Sequence, residues 1–276
     1  MADTYTEGYR IGFVLGGKDL SIKRTVNIRY QLGFERMIRK AVWNFEKMGL
    51  RPVIYRAAVS TLNKRQNLRV GYTGASANPQ FDYDHRADAA IYFDKKFMER
   101  KLGVMRTAYE KWKQLAAWHA GPAVVETFGE TPFVPTAQEE SCHLSEKQEK
   151  LMVLYANESA QLTNQYIIGK ERSFTIIAFP VPEIGAQFEE IFRETVKLNT
   201  LDYVLYRDLQ QKLIDALDQG TAVHIQGRDG NRTELTVALH KMTDPMKQTL
   251  FENCVADVNI PVGEVFTSPK LAGTNG

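Results

Sequence analysis

The sequence predicts an α/β protein in two parts: an N-terminal parallel-sheet βαβ domain, then the start of a second domain with antiparallel strands. Three observations predict it. A short apolar run at 10–15 ends at Gly16-Gly17, a long helical pattern follows and stops at Gly49, and a second apolar run occupies 52–55. Strand, helix, glycine, strand at this spacing makes a βαβ unit, which implies parallel pairing and a right-handed crossover. After Leu198 the character changes, with alternating stretches at 222–227 and 233–239 around Arg228-Asp229-Gly230-Asn231, a hairpin signal. The boundary is placed near residue 200, giving parts 1–200 and 201–276.

Each element has its local reason. Ser21 is an N-cap for a helix running to Met48, whose second half sets Met37, Ile38, Ala41, Val42, Phe45 and Met48 on one face. Gly49 is a suitable residue just past its end. Residues 71–84 are turn-rich, and 89–93 read as a short strand. A charged but periodic helix over 95–119 carries Leu102, Met105, Tyr109, Trp112 and Leu115 as its stripe and ends at Gly121-Pro122. Residues 124–135 read as strand and loop, and 138–142 as an exposed connection. Ser145 and Gln148 form a capping box opening a helix to about Asn164. A strand over 173–179 closes at Pro180-Val181-Pro182, and a helix over 183–198 follows. Residues 204–217 form an amphipathic helix striped by Tyr206, Leu209, Leu213 and Leu217, ending at Gly220.

Composition bounds the function. Length 276 suffices for a sizeable core, and the 43% hydrophobic and 25% charged fractions are ordinary for a globular protein. A formal net charge of +2 argues against a dedicated nucleic-acid surface, which needs a basic excess. The first residues lack a basic and then apolar leader pattern, and no apolar run approaches the roughly 20 residues that cross a bilayer. Cys142 and Cys254, far apart, suggest a reduced compartment. The expectation is a cytoplasmic protein with no nucleic-acid or membrane partner.

Several constellations invite chemistry. Residues 12–18 fit Gly-x-x-x-x-Gly-Lys, but Asp19 stands where a hydroxyl would bind magnesium and would repel phosphate, so a strand-to-helix turn is the better reading. Asp82, Asp84, His85 and Asp88 cluster without a full ligand pattern, and a helix N-terminus explains the acids as well. An even-numbered hairpin loop at 228–231 puts His224 on the side of Leu235, Val237 and Leu239 and His240 on the other, against a shared metal. His119 and His143 have no recognisable partners, Cys142-His143 are adjacent, and Cys254 reads as a packed small hydrophobe. The basic series Lys18, Lys23, Arg24, Arg29, Arg36, Arg39 and Lys40 reads as a solvated helix face.

The chain is organised around Asn259-Ile260-Pro261-Val262-Gly263-Glu264-Val265-Phe266-Thr267-Ser268-Pro269, followed by Gly273-Thr274-Asn275-Gly276. Glu264 stands directly before strand residues, between two prolines that fix backbone direction. Metal ligands are presented this way, and so are ordinary edge-strand glutamates. This stretch resembles the signature of the thermophilic metallo-aminopeptidase family, the aminopeptidase T and aminopeptidase S type. His224-Ile225-Gln226-Gly227 and Thr233-Glu234-Leu235 match its paired strands, with Glu234 where the family has Asp, and the Phe179-Pro180 step with the following helix matches too. The resemblance is specific from about Ile167 onward and general before Phe128.

The resemblance implies removal of N-terminal residues from peptides by two divalent cations, zinc or cobalt, held by two Glu, two His and one Asp. The first Glu falls on Glu264; the other four ligands are expected beyond Gly276. The 201–276 part would then be the beginning of the catalytic domain, while 1–200 would shape access to the site and help form a homodimer. The expectation is an N-terminal portion inactive alone. A rival reading is a non-catalytic α/β module that binds a small ligand or partner protein. It expects Glu264 exposed and unpaired and a pocket at the carboxyl ends of the parallel strands. A nucleotide-binding enzyme ranks third because of Asp19.

Overall fold

The computed structural model describes residues 1–57, 71–73, 79–200, 202–246, 248–253, 258–260 and 264–275. Cys254, Pro261, Val262, Gly263 and Gly276 lie outside these, as do Gly74 and Asn78 of the turn-rich stretch.

In chain order the elements are α1 (Ala2–Leu15), β1 (Thr25–Tyr30), α2 (Glu35–Lys47), β2 (Arg51–Ala57), β3 (Gly71–Thr73), α3 (Pro79–Asp84), α4 (Lys95–Ala117), β4 (His119–Phe128), α5 (Glu146–Tyr166), β5 (Thr175–Pro180), α6 (Phe188–Leu198), α7 (Tyr203–Leu217), β6 (Ala222–Gln226), β7 (Glu234–Ala238), β8 (Glu252–Asn253), β9 (Val258–Ile260) and β10 (Val265–Phe266). The protein is α/β. One sheet of six parallel strands has the order β3-β2-β1-β4-β5-β9, and two antiparallel pairs, β6-β7 and β8-β10, stand apart from it.

The expected βαβ unit exists, with β1 and β2 in parallel register from Thr25–Arg51 to Tyr30–Arg56. Its first strand is not 10–15. That run belongs to α1, because Tyr5, Tyr9 and Phe13 recur every fourth residue and, with Ala2, Thr6 and Gly12, line one buried face. The strand is instead Thr25–Tyr30, where Val26, Ile28 and Tyr30 are buried in strict alternation. The long helix expected from Ser21 is therefore only its second half. There Ile38, Ala41 and Phe45 are buried, and Gly49 takes φ +81 just past the end, as its lack of Cβ permits.

Four other expectations change. The helix expected over 183–198 begins at Phe188, after a 3₁₀ turn at Pro182–Ile184. Residues 89–93 fall in a 3₁₀ segment, His85–Ile91, and its end rather than a strand. Gly121-Pro122 do not end α4, which stops at Ala117; they lie inside β4, where Gly121 (φ +115) sits at a register shift against β1. The buried face of α7 carries Gln210 and Ile214, while Leu209 and Leu213 are 50% and 49% exposed. The capping box at Ser145 and Gln148 forms as read, and the strand expected over 173–179 is present as Thr175–Pro180.

The main core lies on one face of the sheet, beneath α1, α2 and α6. There Tyr5, Tyr9, Phe13 and Phe45 meet Val26, Ile28, Val125, Ile177 and Phe179. Edge-to-face packing of Tyr9 on Phe45, with centroids 5.2 Å apart, fixes α1 against α2. The opposite face is roofed by the α4–α5 hairpin, which has its own small cluster of Phe93, Met98 and Leu102. A third cluster, Ile214, Leu239 and Phe251, joins α7 to the small antiparallel strands. Among the described residues no helix is long and apolar enough to cross a membrane.

Candidate functional site

Glu264 stands one residue before β10 and is exposed. Two short pairings flank it. Upstream, β9 adds to the edge of the six-stranded sheet, with Thr175–Val258 to Ile177–Ile260 in register. Downstream, Val265 and Phe266 pair with Asn253 and Glu252, and the Thr267 hydroxyl donates to Leu250 O at 2.5 Å. Glu264 therefore lies where the chain leaves the parallel sheet for the small module built on α7. The tail of the same motif is also held in place. Gly273 takes φ +94, Asn275 bridges Thr236 of β7, and the Thr274 hydroxyl accepts from Ala238 N at 3.0 Å.

The hairpin forms, but its register differs from the one expected. Asp229 (φ 53) and Gly230 (φ 88) turn the chain so that Gln226 opposes Glu234 and His224 opposes Thr236. A one-residue slip exchanges faces. His224 accordingly sits beside Thr236, with Nδ1 3.2 Å from its hydroxyl, and Nε2 lies 3.8 Å from Glu234. It does not share a face with Leu235 and Val237.

The other candidates are accounted for locally. Gly12 to Leu15 are helical, and Asp19 caps the 3₁₀ turn Leu20–Ile22 by accepting from Ser21 N at 2.8 Å, so 12–18 forms no phosphate cradle. Asp84 accepts from the Gln80 amide at 2.6 Å, and His85 Nδ1 lies 2.9 Å from Asp88; the Asp82 side chain lies outside the description. His143 is exposed and Cys142 is a half-buried free thiol. Lys23 is no solvated cation: it is 2% exposed, and its Nζ donates to Ala117 O and Glu171 Oε2, each at 2.9 Å. Among the described residues no group of three or more His, Cys, Asp or Glu is placed to hold a metal ion.

The sheet supplies a second candidate. From β1 the chain runs outward through β2 to β3, then returns to place β4 on the other side of β1, so strand order reverses between β1 and β4. In open α/β sheets ligands bind beyond the carboxyl ends of strands at such a reversal. A cavity of about 790 Å³ lies close by, against the segments that follow β1 and β5. Phe34, Met37, Phe179, Phe188 and Phe192 line it, with Arg36 supplying charge. Its aromatic wall is continuous, with centroids 5.2 Å apart for Phe34–Phe179 and 5.6 Å for Phe179–Phe192.

His119 is a residue sequence reasoning passed over. It opens β4 and is half-buried, and burial together with Arg172, Arg29 and Lys23 lowers its pKa to about 4. Those cations come from separate segments, so no local spacing announces them.

The architecture defines an open parallel α/β sheet followed by a small antiparallel module. No protein-family profile matches the chain, and no curated protein does. A solved structure described as wild-type AmpT from Thermus thermophilus aligns with 95% of this chain and 61% of its own, at 13% sequence identity and a TM-score of 0.39. The chain thus spans less than two thirds of that protein, and a likeness at this level says nothing about chemistry.

Proposed function

We propose that the chain is the N-terminal portion of a metal-dependent aminopeptidase, in which Glu264 supplies one carboxylate to a pair of divalent cations, zinc or cobalt. The observation that supports the reading is the placement of Glu264 one residue from β10, in a motif whose two ends are pinned by β9 and by the Asn275–Thr236 bridge; its exposure is shared with the binding-module reading. A carboxylate that neutralises and orients a cation must be held by fixed backbone.

The residues present do not complete such a centre. One carboxylate cannot hold two cations, and the described residues offer no further set of donors. The remaining ligands are assigned to residues outside this chain, and the peptide substrate would meet the metals there. In this reading the parallel-sheet part shapes access and contributes to a homodimer.

The test is release from leucine p-nitroanilide with cobalt or zinc and with chelator. The chain alone is expected to release nothing. The longer gene product is expected to show metal-dependent release that Glu264→Gln reduces by at least about tenfold to a hundredfold, the scale on which even a group that only orients a metal ligand acts. Full activity of that variant would overturn the assignment.

The cavity beyond the carboxyl ends of β1 and β5 favours a second reading, a module that binds a small apolar ligand. It requires Phe192→Ala to weaken ligand binding, and it leaves Glu264→Gln without effect.

A further inference from the structure

At the opposite end of the same strands a second cavity, of about 510 Å³, opens between the sheet and α4. Its roof is Met105, Tyr109 and Trp112, and its floor carries three polar side chains, Thr25, Asn27 and His119. Register brings these together. Alternation on β1 sends Val26 and Ile28 into the main core and leaves Thr25 and Asn27 half-buried on the α4 side, and the ladder pairs Thr25 with His119.

The floor has hydrogen-bonding capacity to spare. Asn27 Oδ1 accepts from Arg29 Nε at 3.4 Å, and its amide N–H groups, the Thr25 hydroxyl and the His119 ring make no hydrogen bond to another described residue. Water reaches these half-buried groups, so a ligand with matching acceptors would exchange that water for its own hydrogen bonds. An apolar cavity of this size with a few convergent polar groups is the usual form of a small-molecule site. Burial first, and then the positive charges of Arg172, Arg29 and Lys23 near the floor, disfavour a proton on His119. The part of that effect due to the three cations also favours an anion placed against the floor.

The roof is built to admit a flat ring. Tyr109 is fixed by stacking on Tyr166, with centroids 4.9 Å apart and planes 6° apart, and its hydroxyl donates to Thr163 at 3.2 Å. At Trp112 the α4 backbone departs from helical geometry (φ −118, ψ 24), and this side chain both lines the cavity and is 53% exposed, which makes it the rim.

We propose that this cavity binds a small aromatic carboxylate, its ring between the sheet and Tyr109 and Trp112, its carboxylate against Asn27, Thr25 and His119. The site stands apart from Glu264 and from the cavity at the carboxyl ends, so it succeeds or fails independently of either functional reading.

Calorimetric titration of the purified chain with 4-methylbenzoate tests it, beside the uncharged isostere 4-methylbenzamide. Saturable submillimolar binding is expected for the acid, weakened roughly tenfold or more for the amide and in Asn27→Leu. Ala108→Trp, which fills the cavity, is expected to abolish binding while the thermal midpoint stays near wild type, and Arg36→Ala in the other cavity should change nothing. The proposal is overturned by an absence of saturable binding at millimolar ligand. Equal affinity for the amide, or binding that survives Ala108→Trp but is lost in Arg36→Ala, would overturn it as well.

Discussion

The hydroxyl of Tyr9 donates to the carbonyl of Gly121 at 3.1 Å, tying α1 to β4 at the register shift where β4 passes β1. Both ends of this link are buried, and burial pushes the Tyr9 phenol well above its ordinary pKa. Gly121 holds φ +115, and a Cβ built there would lie 1.8 Å from Ser173 O, backbone that cannot swing away.

The two partners should therefore differ sharply on mutation. Tyr9→Phe keeps the ring packing and loses one hydrogen bond, leaving the Gly121 carbonyl without this donor, for about 1–2 kcal/mol. Gly121→Ala adds positive-φ strain to a backbone clash and should cost more than about 4 kcal/mol, at the diagnostic end of single substitutions. Urea unfolding midpoints separate the two outcomes.

The two faces of α7 make the second prediction. Ile214 is buried with Leu239 and Phe251, whereas Leu213 is half exposed. Ile214→Ala should cost about 2–4 kcal/mol and Leu213→Ser less than about 0.5 kcal/mol. Equal costs would mean that the helix packs through both faces.

That contrast shows where the sequence was legible. The inner stripe of α7 includes Tyr206, Gln210, Ile214 and Leu217, and the expected one was Tyr206, Leu209, Leu213 and Leu217; they share both ends, and a helix apolar on two sides does not announce which side has a partner. Where only one side is apolar, as in α2, the face could be read directly. β1 was hidden because its alternation ran into the helical pattern of α2, and α1 because Phe13-Val14-Leu15 imitates a strand unless Tyr5 and Tyr9 are counted with it. The position of Glu264 just before a strand was local and readable. The surroundings of His119 come from β1, the Lys23 turn and Arg172, and only the fold assembles them.

A third prediction concerns the capping box of α5. Ser145 contributes the local cap, but Gln148 does more: beyond bonding Ser145 N at 3.1 Å, its amide donates to Ala90 O at 2.8 Å and Phe93 O at 3.1 Å. Ser145→Ala should cost about 1 kcal/mol, the usual value of a cap. Gln148→Ala keeps the bond from its backbone N–H to Ser145 Oγ but removes the reciprocal bond to Ser145 N and strands two carbonyls in another segment, so about 2–3 kcal/mol is expected. Thermal midpoints measured side by side decide it, and a larger loss for Ser145→Ala would contradict this ranking.

His119 makes stability depend on pH with a definite sign. Its ordinary pKa is 6.5 and its folded value about 4, lowered by burial first and then by Arg172, Arg29 and Lys23, with Glu171 answering Lys23. The unfolded chain therefore binds the proton more readily than the folded one across this window. Stability is full above about pH 6.5, falls as pH drops toward about 4, and changes no further through this group below that. Between about pH 7 and about pH 5 the loss amounts to about 2 kcal/mol at 1.36 kcal/mol per unit. His119→Gln removes the titration while keeping a polar side chain of similar reach. Its unfolding free energy should decline less than wild type over the same range, by about that amount. Parallel pH profiles of the two proteins would place the buried proton elsewhere. A steeper decline in the variant would reverse the sign argued from the three cations.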